Sequence, residues 1–119
     1  MVESPLQAKS FAFALRVVNA TKTLQRDRHE YILSKQLVRA ATSIGAQIEE
    51  AQGAASRKDF INKLQIGYKE ARETNYWLRL LEGANYLSPT EAASLKADLD
   101  EVLAILVAVL KTTKSTDNQ

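Results

Sequence analysis

The sequence contains no cysteine and a single histidine, His29. Without cysteine the chain can form neither disulfides nor thiolate metal sites, so it does not depend on an oxidising compartment. Its first ten residues lack the basic and apolar segments of a secretory signal, and no apolar run approaches the roughly 20 residues of a membrane-spanning helix. We therefore expect a cytoplasmic protein with no membrane partner.

A strong excess of charge is also missing. The 119 residues include 16 basic and 14 acidic side chains, for a net charge of +2, which is too small to indicate nucleic acid by its sum alone. A chain of this length can bury one sizeable core. We expect one domain at 1–113.

Four helix starts are predicted by a capping residue followed three positions later by a residue that can reach back to it. They lie at Ser4, Asp27, Ser56 and Ser88, and a proline follows the first and the last. Asn85 is predicted to end the third helix in a left-handed conformation.

The apolar spacing between these starts is helical throughout, and no strand pattern competes with it. The predicted helices are 5–25, 28–53, 57–84 and 89–113, with a disordered tail at 114–119 that has no apolar anchor. Because the connections are short, consecutive helices should run antiparallel. The predicted fold class is an all-α, up-down-up-down four-helix bundle.

The second helix carries two stripes at helical spacing. The apolar stripe faces the core and comprises Leu33, Leu37, Ala40, Ala41, Ile44, Ile48 and Ala51. A neighbouring polar stripe comprises Arg39, Ser43, Gln47 and Glu50. Together with Glu73 of the third helix, it is predicted to form a polar network that aligns the two helices. The alternative is a ligand site at Arg39, Gln47 and Glu50.

The fourth helix contains nine consecutive apolar residues, VLAILVAVL, at 102–110. Such a run covers the whole circumference of a helix, whereas an outer helix of a monomeric bundle should keep one face in water. The simplest cover is another copy of the chain. We expect a homo-oligomer whose interface includes Val102, Ile105, Leu106 and Val109.

No catalytic or metal-binding pattern is present. Di-metal bundles use Glu-x-x-His pairs, which are absent here, and the four glycines are too scattered to form a phosphate-binding loop. The carboxylates show no pairing that indicates acid–base chemistry. We expect a protein that is not an enzyme and that has no cofactor or metal, and we keep an enzyme with a site in the polar stripe as the weakest alternative.

Basic residues gather near the two ends of the predicted bundle. The candidates for nucleic-acid contact are Lys22, Arg26 and Arg28 at one end and Arg57, Lys58 and Lys63 at the other. A ring of subunits would multiply each cluster into a rim that attracts phosphate. The alternative is that these are solvated helix ends.

Two aromatic residues with basic neighbours offer a second route to nucleic acid. Tyr76 and Trp77, flanked by Arg72 and Arg79, could stack on bases. Aromatic side chains at helical spacing more often fill a core or an interface.

The run from Gln36 to Ala51, followed by Ser56–Ile61 and Lys69–Thr74, resembles the family of four-helix bundles named after the protein encoded in the intervening sequence of bacterial 23S rRNA. The resemblance covers about residues 6–110. The positions that match the family's pattern are Gln36, Arg39, Ser43, Ile44, Glu50, Asp59, Phe60, Glu73 and the run Tyr76–Leu81. Gln47 stands where the family usually has asparagine.

This resemblance implies a left-handed up-and-down bundle. The family is also similar to a small accessory protein of diversity-generating retroelements, a basic pentameric barrel that associates with nucleic acid and a reverse transcriptase. By that likeness we expect a homopentamer that binds RNA or DNA, or a nucleic-acid-processing protein. The competing hypothesis is a protein-interaction scaffold without nucleic-acid affinity.

Overall fold

The computed structural model describes residues 3–117, of which Asp117 is described in its backbone only. Four helices account for most of this range: α1 Pro5–Arg28, α2 Ile32–Gln52, α3 Arg57–Gly83 and α4 Pro89–Asp117. No strand occurs among residues 3–117. The structure confirms the predicted all-α four-helix bundle.

Two of the predicted capping boxes form completely. At α1 the Ser4 hydroxyl accepts the backbone N–H of Gln7, and the Gln7 side chain accepts the N–H of Ser4, at 3.1 and 3.0 Å. Ser88 and Glu91 make the same exchange at α4, at 3.1 and 3.2 Å. At α3 only half forms, because Ser56 caps the Asp59 N–H while the Asp59 carboxylate accepts from Ala55 instead.

The start predicted at Asp27 is wrong. Helix α1 continues through Asp27 to Arg28 and ends at His29, which adopts a left-handed conformation with φ 53°. Glu30 then caps α2: its carboxylate accepts the backbone N–H groups of Ile32, Leu33 and Ser34 at 3.2, 3.1 and 2.6 Å. The predicted boundaries 5–25 and 28–53 therefore become 5–28 and 32–52.

The α3–α4 corner follows the prediction. Asn85 is left-handed, with φ 66°, and the N–H of Tyr86 returns to the carbonyl of Leu81 at 2.9 Å. Tyr86 then packs against the core. This bond satisfies a carbonyl that the end of α3 would otherwise leave unpaired.

Side-chain contacts join the first turns of one helix to the last turns of the helix beside it. Gln7 of α1 reaches Glu49 of α2, and Lys96 of α4 pairs with Glu82 of α3. Helices α1 and α4 are joined by Arg16, which contacts Asp98 at 2.6 Å. These contacts are consistent with the predicted up-and-down order.

The bundle core is formed by one apolar stripe from each helix. Fully buried side chains include Phe13 and Val17 of α1, Leu37, Ile44 and Ile48 of α2, Leu64, Leu78 and Leu81 of α3, and Leu99 and Leu106 of α4. Gly67 lies where α2 and α3 meet, and a Cβ built there would lie 3.6 Å from the Cβ of Gln47, which is an ordinary contact distance.

Helix α4 is longer than predicted. It continues to Asp117, so the predicted tail is helical at 114–117, while 118 and 119 lie outside the described residues. Because Lys9 pairs with Glu101, the start of α1 lies beside about residue 105 of α4. The last three turns of α4 therefore extend beyond α1. Among the described residues, no helix is long and apolar enough to cross a membrane.

Candidate functional site

Arg39 connects α2 to α3 through two carboxylates. Its guanidinium pairs with Glu73 and lies 3.4 Å from a carboxylate oxygen of Glu70, one turn earlier on α3. The indole N–H of Trp77 donates to the same Glu73 oxygen at 3.0 Å. The Arg39 side chain is 48% exposed, so this is a surface network whose contribution to stability should be small.

The other polar residues of the predicted network do not join it. The Ser43 hydroxyl donates to the carbonyl of Arg39 within α2, at 2.8 Å. Glu50 is exposed and has no polar partner among residues 3–117. The side-chain oxygen of Gln47 is buried and has no hydrogen-bond partner within the described range. Within residues 3–117, Arg39 is thus the member of this stripe that pairs with α3, through Glu73 and Glu70.

The basic cluster at the end of α1 is partly neutralised within the chain. Arg26 makes two hydrogen bonds to Asp27, at 2.8 and 3.2 Å. Contact with this guanidinium lowers the pKa of the Asp27 carboxyl, through their hydrogen bond first and their opposite charges second. Arg28 donates to the carbonyl of Asn85 and lies 5.0 Å from the ring centre of Tyr86. Lys22 is exposed.

The second basic cluster lies at the opposite end of the bundle. Arg57 and Lys58 occupy the exposed first turn of α3, and Lys63 is half-buried one and a half turns later. The side chain of Asp59 lies in this first turn too. Each end thus carries acidic as well as basic groups.

Two of the predicted interface residues belong to the core of their own bundle. Val102 and Leu106 are only 1% and 0% exposed. With Leu99 and Leu110 they repeat at three- and four-residue spacing, which places them on the inward face of α4. Their assignment to an oligomer interface was wrong.

The other two predicted interface residues line an uncovered apolar depression. Ile105 and Val109 are half-buried, and they line this shallow, open depression together with Ala104, Ala108, Thr112 and Thr113, all on α4. The depression, which we call the α4 hollow, has a volume of about 490 Å³. It lies on the side of α4 that contacts α1 through Asp98 and Glu101, at the level where α1 begins and beyond it.

Helix α1 carries large apolar side chains on its outer face. Phe11 and Leu15 are 67% and 53% exposed and lie one turn apart. Other exposed apolar side chains are at the α1–α2 corner, where Ile32 is 77% exposed. Phe11 and Leu15 are thus unpartnered within residues 3–117.

A groove between α3 and α4 combines aromatic and basic side chains. It consists of two adjoining depressions of about 450 and 330 Å³ that share Tyr68. Its lining includes Tyr76, four basic residues and one acidic residue, namely Arg72, Arg79, Lys111, Lys114 and Asp100. Arg72, Tyr76 and Arg79 were candidates from their spacing in the sequence. Lys111 and Lys114 were not, because only the packing of α4 against α3 brings them alongside.

Trp77 has a different environment from Tyr76. It is half-buried against the core and bonded to Glu73, whereas Tyr76 is 49% exposed. Their rings meet edge to face with centres 5.2 Å apart. Of the two aromatics considered for base stacking, only Tyr76 presents its ring to solvent.

Within residues 3–117 no three acidic or histidine side chains are grouped as metal ligands.

Comparison with known proteins gives a family match and similar solved structures. Residues 4–108 match the 23S rRNA-intervening sequence protein family. The chain is similar to the crystal structure, at 1.70 Å resolution, of a protein of unknown function from the S23 ribosomal protein family of Bacteroides thetaiotaomicron. That likeness has 45% identity and a TM-score of 0.88, and it covers 89% of this chain and 98% of the other. No curated protein matches.

Proposed function

Since the chain belongs to the 23S rRNA-intervening sequence protein family, we propose that it is a non-enzymatic protein that assembles into a ring and binds RNA or DNA. The observation that carries this proposal is the α4 hollow. An apolar depression at the end of an outer helix, with no part of residues 3–117 over it, is the kind of surface that another protein covers.

The occupant of the α4 hollow is the outer face of α1 from a second copy. Phe11 and Leu15 project from α1, and the α4 hollow lies elsewhere on the same molecule. A contact between two different surfaces of one protein is heterologous, so each subunit can place its α1 face on one neighbour and receive another neighbour on its α4 hollow. Such contacts close into a ring when the rotation per subunit permits. Five subunits is the number implied by the retroelement accessory protein.

Assembly increases the electrostatic attraction for phosphate of a chain whose own net charge is small. One subunit has a net charge of +2, and a ring multiplies that charge, with every basic surface, by its number of subunits. Phosphate contacts by lysine and arginine then bind nucleic acid in a salt-dependent way. The second candidate is a scaffold that binds only proteins, and the exposed Ile32 at the α1–α2 corner favours it.

Light scattering and native mass spectrometry of the purified protein test the assembly. We expect an oligomer, and we expect Ala108→Glu to give monomers because it adds a charge to the α4 hollow from an exposed position. Phe11→Ser should do the same from the opposite side of the contact. Ile32→Ser is the matched control and should leave the mass unchanged. A wild-type monomer at micromolar concentration would reject the ring.

Binding to nucleic acid is tested separately, with structured RNA and duplex DNA in gel shifts at increasing salt. Phosphate contacts require the affinity to fall as salt rises. An oligomer that binds neither nucleic acid at low salt would leave the scaffold as the function.

A further inference from the structure

We propose that the groove between α3 and α4 is the surface that binds nucleic acid, and that its ligand is single-stranded. Tyr76 stacks on a base, and Arg72 and Arg79 contact the neighbouring phosphates. This inference rests on the nucleic-acid binding proposed above and assigns it to a surface other than the two basic ends.

The groove has the dimensions of a track rather than of a pocket. Its lining runs from Gln65 to Arg79 on α3 and from Asp100 to Lys114 on α4. Fourteen residues of helix correspond to about 21 Å. A ligand that fills it must therefore be extended, and one strand of nucleic acid has that form.

The charge of the groove is complementary to phosphate. Arg72 and Arg79 lie on α3, Lys111 and Lys114 on α4, and Asp100 is the one acidic residue in the lining. None of the four basic side chains has an ion-pair partner among residues 3–117, whereas Arg16, Arg26 and Arg39 do. The groove thus concentrates more positive charge than the chain's net +2, and that charge is not neutralised internally.

Tyr76 provides the stacking surface. Its ring is about half exposed and is held from one side by the edge-to-face contact with Trp77. Trp77 is in turn fixed by its hydrogen bond to Glu73. A ring held in this way can stack on a base without first being ordered, and it accepts every base because each has a π face. In a duplex the base faces are stacked on one another, so only a single strand can use Tyr76.

The groove and the α4 hollow lie on opposite flanks of the same helix. Val107, Lys111 and Lys114 face α3, whereas Ile105, Val109 and Thr112 are on the side of α1. A subunit packed on the α4 hollow therefore leaves the groove open to solvent. Binding and assembly can be altered by separate substitutions.

Fluorescence anisotropy with the full chain and labelled oligouridylate, oligothymidylate and a duplex of equal length tests the inference. We expect the wild type to bind a single strand more tightly than the duplex. Tyr76→Leu should weaken binding about ten-fold, while Tyr76→Phe keeps the ring and should bind like the wild type. Arg72→Gln with Arg79→Gln should lower the slope of log affinity against log salt by about 1.4.

The control removes the same charge from the bundle ends, with Lys22→Gln and Lys58→Gln, and should change the salt slope little. Circular dichroism melting must show that every variant is folded. If the end substitutions weaken binding and the groove substitutions do not, nucleic acid binds at the bundle ends. That result would overturn the assignment of binding to the groove without rejecting nucleic-acid binding itself. Equal competition by polyglutamate, or tighter binding of the duplex, would also overturn it. A wild type that binds no oligonucleotide at low salt rejects the underlying function instead.

Discussion

Arg39 and Trp77 donate to the same carboxylate oxygen of Glu73, so one acceptor joins α2 to an aromatic side chain one turn further along α3. The pair of donors explains why Glu73 borders the apolar stripe of its helix. It also ties the position of Trp77, and through it the ring of Tyr76, to an ion pair on the bundle surface.

Arg39→Leu is expected to lower the free energy of unfolding by no more than about 1 kcal/mol, because the ion pair is half exposed and screened by water. Urea denaturation measures this change. Arg16→Leu, which removes an equally exposed pair with Asp98, is the matched control. Loss of the fold on removing Arg39 would contradict a modest surface role. An intact fold that loses a partner would instead favour the ligand site considered for this stripe.

Glu73→Gln should change the fluorescence of Trp77, the only tryptophan, while the helix content stays the same. The amide is a weaker acceptor for the indole N–H than the carboxylate, and it no longer pairs with Arg39. Emission spectra with circular dichroism measure both properties. Glu50→Gln, an exposed glutamate away from the indole, should leave the emission unchanged.

Local signals in the sequence predicted the fold well and the surfaces poorly. Ser4 and Ser88 cap their helices as predicted because a capping box involves only four consecutive residues. Asp27 and Glu30 show the same pattern, but the helix continues through it and Glu30 takes over the cap alone. The four-residue capping pattern does not show whether the preceding helix has already ended.

In the apolar run of α4, likewise, the sequence alone did not distinguish buried residues from uncovered ones. Its hydrophobicity predicted an uncovered surface, and Ile105 and Val109 do line one, whereas Val102 and Leu106 complete the core stripe. The groove depended on information that no single helix contains. Tyr68 and Lys111 line the same depression only through the alignment of α3 against α4, which is set by packing along the whole bundle.

Glu30→Gln should destabilise the protein by about 1–2 kcal/mol near neutral pH, because Glu30 is the charged cap of α2. Burial alone would raise the pKa of Glu30, but the hydrogen bonds from the backbone of Ser34, Leu33 and Ile32 outweigh it and hold the pKa below its usual value. A lowered pKa in the folded state gives stability that is present above the unfolded pKa. That stability is lost as the pH falls through the folded value.

Melting temperatures of the wild type and of Glu30→Gln between neutral and strongly acidic pH therefore should converge at the acidic end. Glu50→Gln, at an exposed glutamate without a polar partner in the described range, serves as the control and should show no such convergence. A constant difference between Glu30→Gln and the wild type at all pH values would show that the charge on Glu30 is not the stabilising feature.

Gly67→Ala should stabilise the bundle by up to about 1 kcal/mol, although Gly67 is buried between two helices. A Cβ there would lie 3.6 Å from Gln47 Cβ and 3.7 Å from the Ile44 carbonyl oxygen, which are ordinary contact distances. Gly83→Ala, at an open position in the same helix, measures the gain in helix propensity alone. Gly67→Leu should cost about 1–3 kcal/mol by forcing α2 and α3 apart. A destabilised Gly67→Ala would mean that α2 and α3 leave no room for a methyl group at this point.

The two left-handed residues at the helix ends predict opposite responses to glycine and alanine. His29 and Asn85 have φ angles of 53° and 66°, a region that costs a side chain energy unless it is asparagine or glycine. His29→Gly should therefore stabilise the protein by about 0.5–1 kcal/mol, whereas Asn85→Ala should destabilise it by a similar amount. Chemical denaturation of both variants measures these changes.

Ala84→Gly, one residue before Asn85 at φ −87°, separates relief of backbone strain from added flexibility, since glycine there can only destabilise. If His29→Gly and Ala84→Gly shift stability in the same direction, the left-handed conformation of His29 is not a source of strain.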